Sequence, residues 1–259
     1  MADTGDKRIE LSIDGHIGLI RINRPEKLNA LDFDMVLALE RAAILADNEA
    51  SLRYVIITGA GEKSFCAGGD IENWSSWSAE EFAMRWVRQG HRAFDALARM
   101  RHPLIAALNG HCLGGGLEVA ITADLRVAED HVKLGQPESG LGIIAGWSGT
   151  QRAVRRYGAQ LVRRMALAGE VFDAPSALTL GLVDKVVPKG GSLEAAKAIA
   201  AQIAARSPSA TRLTKLLINA AEGEEKEAAL ETMGGFIAAD SADLAKGLEA
   251  FRNRRKAEF

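Results

Sequence analysis

The sequence has only two cysteines among its 259 residues, and it shows no strong excess of charge of either sign. Cys66 and Cys112 have neither the spacing of a metal site nor the number that a disulfide framework needs. The 32 basic residues nearly balance the 34 acidic ones, whereas nucleic-acid-binding proteins normally carry a clustered basic excess. We therefore expect no nucleic-acid partner and no disulfide scaffold.

Long hydrophobic runs are also missing. The N terminus is charged and has no apolar run behind it, and the apolar stretch 104–108 is far too short to span a membrane. We expect a cytoplasmic protein without a membrane partner. With 47% hydrophobic and 25% charged residues, the composition is that of a soluble globular protein long enough for a large core.

The hydrophobic pattern predicts strands and helices in alternation, followed by a helical region. Strands are predicted in a hairpin over 8–22 and at 54–58, 104–108 and 125–128, and helices at 32–45, 79–100 and 114–122. Beyond 148 only 182–187 is typical of a strand; the predicted helices are 149–157, 159–168, 173–180, 192–205, 208–221, 224–238 and 241–253. This order favours an α/β core with a helical C-terminal region.

Two glycine-rich loops each follow a predicted buried strand. They cover 64–70 and 109–118, and the second leads directly into a helix. Glycine lets the backbone approach a ligand, and N–H groups at a helix N terminus favour negative charge, so such loops can form an oxyanion hole. The alternative is that both are simply tight turns that pack strand against helix.

Two carboxylates, Glu118 and Glu138, could divide acid and base duties. We expect the helix N terminus to keep Glu118 ionised. Glu138 lies among Leu134, Leu141 and Ile143 and is expected in a drier place. Each alone is more often a solvated side chain. The five histidines show no metal-binding spacing, and no metal is expected.

Taken together, the motifs resemble those of the enoyl-CoA hydratase/isomerase (crotonase) family. They occur in the family's order along nearly the whole chain: NRPEKLNAL (23–31), FCAGGD (65–70), NGHCLGGGLE (109–118), GQPE (135–138), GTQR (149–152), GLVD (181–184) and AFRNRRK (250–256). The resemblance implies an α/β spiral of repeated ββα units over 1–195. It also implies a helical region over 196–259 that packs on this core or on a neighbouring subunit, in a homotrimer or a dimer of trimers.

The resemblance further implies a chemistry. Family members bind an acyl-CoA thioester and stabilise its enolate-like oxygen with two backbone N–H groups, which correspond to Gly69 and Gly115; the family more usually has alanine at position 69. Glu118 would act as base on a water that attacks Cβ of a trans-2-enoyl-CoA, and Glu138 would deliver a proton to Cα. Gly146 resembles the glycine that helps to seat the water. Coenzyme A is part of the substrate, and no separate cofactor is implied.

Further positions correspond to substrate contacts. Ala67 resembles the position at the adenine ring, Lys27 one near the CoA phosphates, and Phe251 part of a tail that covers the adenosine. The full set implied to bind substrate is Lys27, Ala67, Gly68, Asp70, Ile71, Trp74, Leu113, Gly114, Trp147 and Phe251. Whether Trp74, Trp77 and Trp147 line the acyl pocket or only pack stays open at this point, because most tryptophans pack.

Hydration is the leading hypothesis because both glutamates are present. The alternatives are another reaction of the same family (double-bond isomerisation, thioester hydrolysis or retro-aldol cleavage), a non-catalytic acyl-CoA-binding protein, and a nucleic-acid-binding member of the fold. The charge balance disfavours the last of these.

Overall fold

The computed structural model describes residues 2–259, which fall into two units that divide between Leu213 and Thr214. The strands are β1 (Ile9–Asp14), β2 (Ile17–Ile22), β3 (Tyr54–Gly59), β4 (Ser64–Cys66), β5 (Leu104–Leu108), β6 (His111–Leu113), β7 (Leu125–Glu129), β8 (Lys133–Gly135), β9 (Val171–Asp173) and β10 (Lys185–Val187).

The α-helices are α1 (Phe33–Asn48), α2 (Ile71–Trp74), α3 (Ala79–Glu81), α4 (Arg88–Arg99), α5 (Gly115–Thr122), α6 (Gln151–Tyr157), α7 (Ala159–Ala166), α8 (Ala174–Thr179), α9 (Ser192–Ala204), α10 (Pro208–Ala221), α11 (Lys226–Ala239) and α12 (Ala242–Arg252). A π-helical segment, Phe82–Val87, joins α3 to α4, and short 3-10 turns form Pro25–Lys27 and Glu138–Leu141. None of the helices within residues 2–259 has the length and apolar character that crossing a membrane requires.

The strands form two sheets. The larger has the order β1-β2-β3-β5-β7-β10, with an antiparallel β1–β2 hairpin and otherwise parallel pairing. The smaller has the order β4-β6-β8-β9, with only β9 antiparallel. The α/β class and the helical C-terminal region that the sequence predicts are confirmed.

Successive chain segments contribute one strand to each sheet. β3, β5 and β7 lie in the larger sheet; β4, β6 and β8, each the next strand along the chain, lie in the smaller one; and helices follow each pair. The chain therefore advances by one strand in both sheets with each ββα unit. This is the repeated ββα spiral that the family resemblance implies.

The central strands are apolar on both faces because both are covered. In β3 every residue is buried. Alternate residues point to opposite faces: Val55 and Ile57 belong to the main core with α1 and α4, whereas Tyr54 and Ile56 pack with α9 through Ala196 and Ala200. This two-sided burial explains the short continuous apolar runs that predicted the strands.

The smaller sheet differs from the prediction. Its first two strands fall within the segments predicted as glycine-rich loops, and β9 lies in a region predicted as almost entirely helical. Each of its strands has three residues, too few to show an alternating pattern, and they are defined by non-local pairs such as Cys112 with Leu134. The strand predicted over 182–187 is confined to β10, and the helix predicted over 79–100 contains the π-helical segment.

The second unit contains α11 and α12, which contact each other. Apolar side chains on both helices remain exposed in the single chain: Leu230, Phe236 and Ile237 on α11, and Leu244, Leu248 and Phe251 on α12. An amphipathic helix normally buries its apolar stripe, so these faces are suited to contact another surface.

The close approach of α5 to β4 is expected to depend on Gly116. A Cβ added at this position would overlap the backbone carbonyl of Cys66. We expect Gly116→Ala to lower the free energy of unfolding by about 1–3 kcal/mol or more, because overpacking against backbone has no easy relief. Thermal denaturation should show this as a melting temperature lower by roughly 2–4 °C per kcal/mol. Gly140→Ala is the control, since an added Cβ there meets no atom within 4 Å; equal melting temperatures for the two variants would contradict the prediction.

Candidate active site

The two glycine-rich segments lie side by side because β4 and β6 are paired. Gly68, at a φ of +108°, follows β4, and Gly114, at a φ of +52°, precedes α5; both values favour glycine. A Cβ on Gly68 would lie 3.2 Å from the carbonyl oxygen of Leu113 and 3.3 Å from the nitrogen of Gly115. The bare backbones thus bring the end of one loop against the N terminus of α5.

Gly69 and Gly115 both line the cavity formed at this junction. Gly115 is the first residue of α5, where a backbone N–H has no acceptor within the helix. The bridge between Leu31 and Gly69 uses the carbonyl of Gly68 and the N–H of Asp70, so the N–H of Gly69 stays outside that pairing. Two backbone donors are therefore left beside one cavity.

Glu118 and Glu138 line the same cavity. Glu118 is 3% exposed, and its Oε1 accepts hydrogen bonds from the N–H groups of Trp147 (2.6 Å) and Gly149 (2.7 Å). Both carboxyl oxygens of Glu138 are buried and have no hydrogen-bond partner among the described residues. Glu138 Oε1 lies 3.0 Å from the position that a Cβ on Gly114 would take. One carboxyl is therefore fixed by the protein, and the other is available to a ligand.

Burial changes the acidity of both glutamates. It raises the pKa of Glu118 to about 8, with the charge of Glu138 adding to the effect and the two N–H bonds opposing it. Burial also raises the pKa of Glu138. Contrary to our expectation, the helix N terminus alone does not keep Glu118 ionised, because desolvation outweighs the stabilising donors; its ionisation also depends on whether Glu138 carries a proton. Two such carboxyls titrate as a pair, which retains a proton at neutral pH.

Gln136 supports the fixed glutamate and is a residue that the sequence analysis missed. Its Nε2 donates to the carbonyl of Gly149 (2.9 Å), and the N–H of that same glycine donates to Glu118. Gln136 is 1% exposed. It stands in the GQPE motif, so the motif contained the signal, but the preceding interpretation used only the glutamate.

Aromatic rings form one side of the cavity. Trp74, Phe82, Trp86 and Trp147 line it, and its volume is about 100 Å³. Trp147 both lines the cavity and packs: it is 2% exposed, and its Nε1 donates to the carbonyl of Trp86 (2.9 Å). Trp77 packs against the main core without lining the cavity. Trp74 and Trp147 therefore line the cavity and also pack against the core, whereas Trp77 only packs.

Phe82 and Trp86 were missed because they lie in the π-helical segment. A π-helical turn holds more residues than an α-helical one, so it moves side chains out of the 3.6-residue register on which the helix prediction rests. Nothing in the sequence of 79–100 marks this change.

The structure brings most of the predicted site residues to one cavity. Those that line it are Ala67, Gly68, Gly69, Ile71, Trp74, Gly114, Gly115, Glu118, Glu138, Gly146 and Trp147. Lys27, Asp70 and Leu113 do not line it. Lys27 is exposed and pairs with Glu72 (2.7 Å), whereas Asp70 caps α2 and pairs with Arg24 (2.8 Å). Phe251 lies on α12 in the second unit, where it is 81% exposed.

Metal-binding clusters are absent from the part of the chain described here: within residues 2–259 no group of three or more His, Cys, Asp or Glu side chains could hold a metal ion.

Comparison with known proteins points to one family. A profile described as enoyl-CoA hydratase/isomerase matches residues 12–259. The chain is 36% identical over 260 residues to a crotonyl-CoA hydratase of Syntrophomonas wolfei, covering 98% of each protein. It is also 36% identical to a short-chain-enoyl-CoA hydratase of Clostridium acetobutylicum, covering 96% of this chain and 95% of the relative.

Solved structures agree with this comparison. The crystal structure of an enoyl-CoA hydratase from Bacillus anthracis is similar with a TM-score of 0.80 and 32% sequence identity. The similarity covers 98% of this chain and 99% of that one.

The raised pKa of Glu118 predicts how stability depends on pH. The native pair of Glu118 and Glu138 keeps one proton up to about pH 8, whereas the unfolded chain releases it near 4.5, so this proton stabilises the fold below pH 4.5 and the contribution is lost as pH rises towards 8. We expect Glu118→Gln, whose amide oxygen can still accept both N–H bonds, to be more stable than the wild type at pH 8 by on the order of 2–5 kcal/mol. The difference should shrink as the pH is lowered and be smallest below about pH 4.5. Denaturant unfolding at a series of pH values measures this, with the exposed Glu80→Gln as control; a difference that does not depend on pH would contradict the assignment.

Proposed function

Since this chain belongs to the enoyl-CoA hydratase/isomerase family and catalyses enoyl-CoA hydration, we propose that the cavity at the N terminus of α5 is where water adds to a trans-2-enoyl-CoA to give a 3-hydroxyacyl-CoA. One observation carries this proposal: two buried carboxyls, Glu118 and Glu138, line the same cavity as two glycines whose N–H groups are left without a described protein acceptor. The groups that would stabilise the charge that develops in the reaction therefore lie together in this cavity.

The thioester oxygen is proposed to lie between the N–H groups of Gly69 and Gly115. As the hydroxyl adds to Cβ, negative charge moves to this oxygen, and preorganised donors stabilise it more strongly than they stabilise the neutral carbonyl. Each donor of an oxyanion hole is worth about 3–4 kcal/mol. The N terminus of α5 adds a favourable field at the same atom.

Glu118 is proposed as the base. Its Oε1 accepts both backbone hydrogen bonds, so Oε2 can accept a hydrogen bond from the attacking water. The fixed carboxylate then removes one proton from that water as its oxygen bonds to Cβ. Gly146, which also lines the cavity, is placed to help seat the water.

Glu138 is proposed as the acid that carries the proton shared by the pair. When Glu138 is protonated, its charge no longer raises the pKa of Glu118, and the two donors on Oε1 favour the carboxylate there. Glu138 delivers this proton to Cα as the enolate collapses. The pair gains one proton from water and loses one to the substrate, so it still holds a single proton, now on Glu118, which returns to Glu138 before the next cycle.

The CoA portion of the substrate is proposed to contact Lys27 and Ala67, and Phe251 of a neighbouring subunit is proposed to cover the adenosine. Ala67 lines the cavity, and Lys27 is exposed, as contact with phosphate requires. Coenzyme A is consumed and released as part of the substrate, and no separate cofactor is proposed. We also propose that the protein is cytoplasmic.

Hydration is tested by the absorbance of the conjugated enoyl thioester. We expect crotonyl-CoA to lose this band when mixed with the protein, and Glu118→Gln and Glu138→Gln each to lower kcat by about 100-fold or more, because each variant removes a proton-transfer group. Glu80→Gln, an exposed glutamate, serves as the matched control. Persistence of the band with crotonyl-CoA and with longer or aromatic enoyl-CoA esters, despite tight binding, would contradict the assignment.

The protein is proposed to form a homotrimer or a dimer of trimers, with 1–195 as the spiral core and 196–259 as a helical region that contacts a neighbouring subunit. The exposed apolar side chains of α11 and α12 support this. Light scattering should give about three or six times the chain mass of 27.7 kDa. Phe236→Asp should lower this mass, because it places a charge on the exposed apolar face, whereas Glu231→Gln on the same helix should not. A single-chain mass for the wild type would contradict the proposal.

A further inference from the structure

We infer that Trp86 and Trp147 form the closed end of the acyl pocket and, with glycine required at position 69, restrict the enzyme to short acyl chains. This inference rests on the proposed function, since it concerns the substrate of the same cavity. It goes beyond that function because it assigns the limit on acyl length to particular side chains.

Trp86 occupies the space beside the proposed oxyanion donor Gly69. A Cβ added at position 69 would lie 2.6 Å from Cζ2 of Trp86, and the indole is 5% exposed and enclosed by other rings. An alanine at this position could be accommodated only if this large ring moved. Glycine at 69 and tryptophan at 86 therefore belong together in this chain.

Trp147 packs in the same way against the second proposed donor, Gly115. A Cβ on Gly115 would lie 2.6 Å from Cζ3 of Trp147. On its other side the indole lies against Gly90, where an added Cβ would overlap the ring nitrogen, and against Phe94, at a centroid distance of 4.8 Å. Trp147 is thus held from both sides.

The two indoles act as one wall. Their centroids are 4.8 Å apart, and Nε1 of Trp147 donates to the backbone carbonyl of Trp86. Rotating the Trp147 ring would break this hydrogen bond inside the core and leave a buried donor unpaired, whereas the Trp86 ring is held by packing against Trp74, Trp77 and Trp147. The wall is therefore expected to stay in place when a longer acyl chain is offered.

The volume of the cavity limits the length of the acyl chain that fits beside Trp86 and Trp147. A volume of about 100 Å³ is smaller than the roughly 150 Å³ of a cavity that holds a benzene ring, which suits the few carbons beyond the thioester of a crotonyl group. The cavity also has an exposed side, bordered by Leu141 and Ile144, which are 61% and 77% exposed. That side is the other route by which a long chain could leave, and the experiment distinguishes the two.

The test measures kcat/KM for crotonyl-, hexenoyl- and octenoyl-CoA in the wild type and in Trp86→Leu. We expect the wild type to prefer crotonyl-CoA, and the octenoyl-to-crotonyl ratio to rise by about tenfold or more in the variant, because accommodating one methylene is worth about 10–200-fold. Trp77→Leu is the matched control: this ring is 6.3 Å from Trp86 but does not line the cavity, so its profile should match that of the wild type.

A second set of variants tests the coupling between the wall and the donor. Gly69→Ala should lower kcat/KM for crotonyl-CoA, because the methyl group collides with Trp86. Adding Trp86→Leu should recover at least about fivefold of that loss, since residues in contact are not additive. A merely structural role for Trp86 would make the two losses multiply instead.

The outcomes separate this inference from the proposed function. If the wild type hydrates crotonyl-CoA but Trp86→Leu and Trp77→Leu share its chain-length profile, the wall lies elsewhere and the inference is wrong. Equal turnover of octenoyl- and crotonyl-CoA by the wild type would also overturn it. Failure to hydrate any enoyl-CoA would instead contradict the proposed function. If Trp86→Leu does not fold, Trp86→Phe should show a smaller shift towards hexenoyl-CoA, and its absence in the folded variant would equally overturn the inference.

Discussion

The contact of helix α5 with the short strand β4 is the constraint on which the site depends. It is a contact between backbones, possible only because Gly116 has no side chain to overlap the carbonyl of Cys66. The same contact fixes the N terminus of α5 beside the loop that holds Gly69. Two N–H groups from distant parts of the chain are thereby held close without any flexible side chain, which is how a preorganised oxyanion hole avoids reorganisation during the reaction.

Burial of Glu118 in this helix lowers the stability of the fold at neutral pH, and it also raises the pKa of the carboxyl, which prepares it for acid–base chemistry. A carboxyl at 3% exposure loses most of its hydration, and the bonds from Trp147 and Gly149 offset only part of the loss, so its pKa rises to about 8. A dry carboxyl close to a second one retains a proton at neutral pH. Two glutamates can then supply both the acid and the base, because Glu118 accepts two hydrogen bonds from the protein and Glu138 accepts none among the described residues.

Those parts of the fold that depend on local pattern could be predicted from the sequence, and those that depend on distant pairing could not. The helices and the strands β3 and β5 follow from periodicity and from continuous apolar runs. The smaller sheet consists of three-residue strands, so its existence was visible only through the family resemblance. For the site, glycine and glutamate motifs located the donors and carboxyls, but the relative acidity of Glu118 depends on a burial that the local sequence does not show.

The aromatic side of the cavity shows why the remaining site residues escaped prediction. Trp86 reaches the cavity from a π-helical segment, whose register no local periodicity marks, and its role is visible only beside Gly69. Trp147 joins three functions in one residue, since its ring lies against Gly115 and Trp86 while its backbone N–H holds Glu118. A change in the wall therefore reaches the base and the oxyanion donors through direct contacts. In this site the proposed acyl selectivity and the proposed catalysis share one residue, Trp147, so a change that moves its backbone affects both.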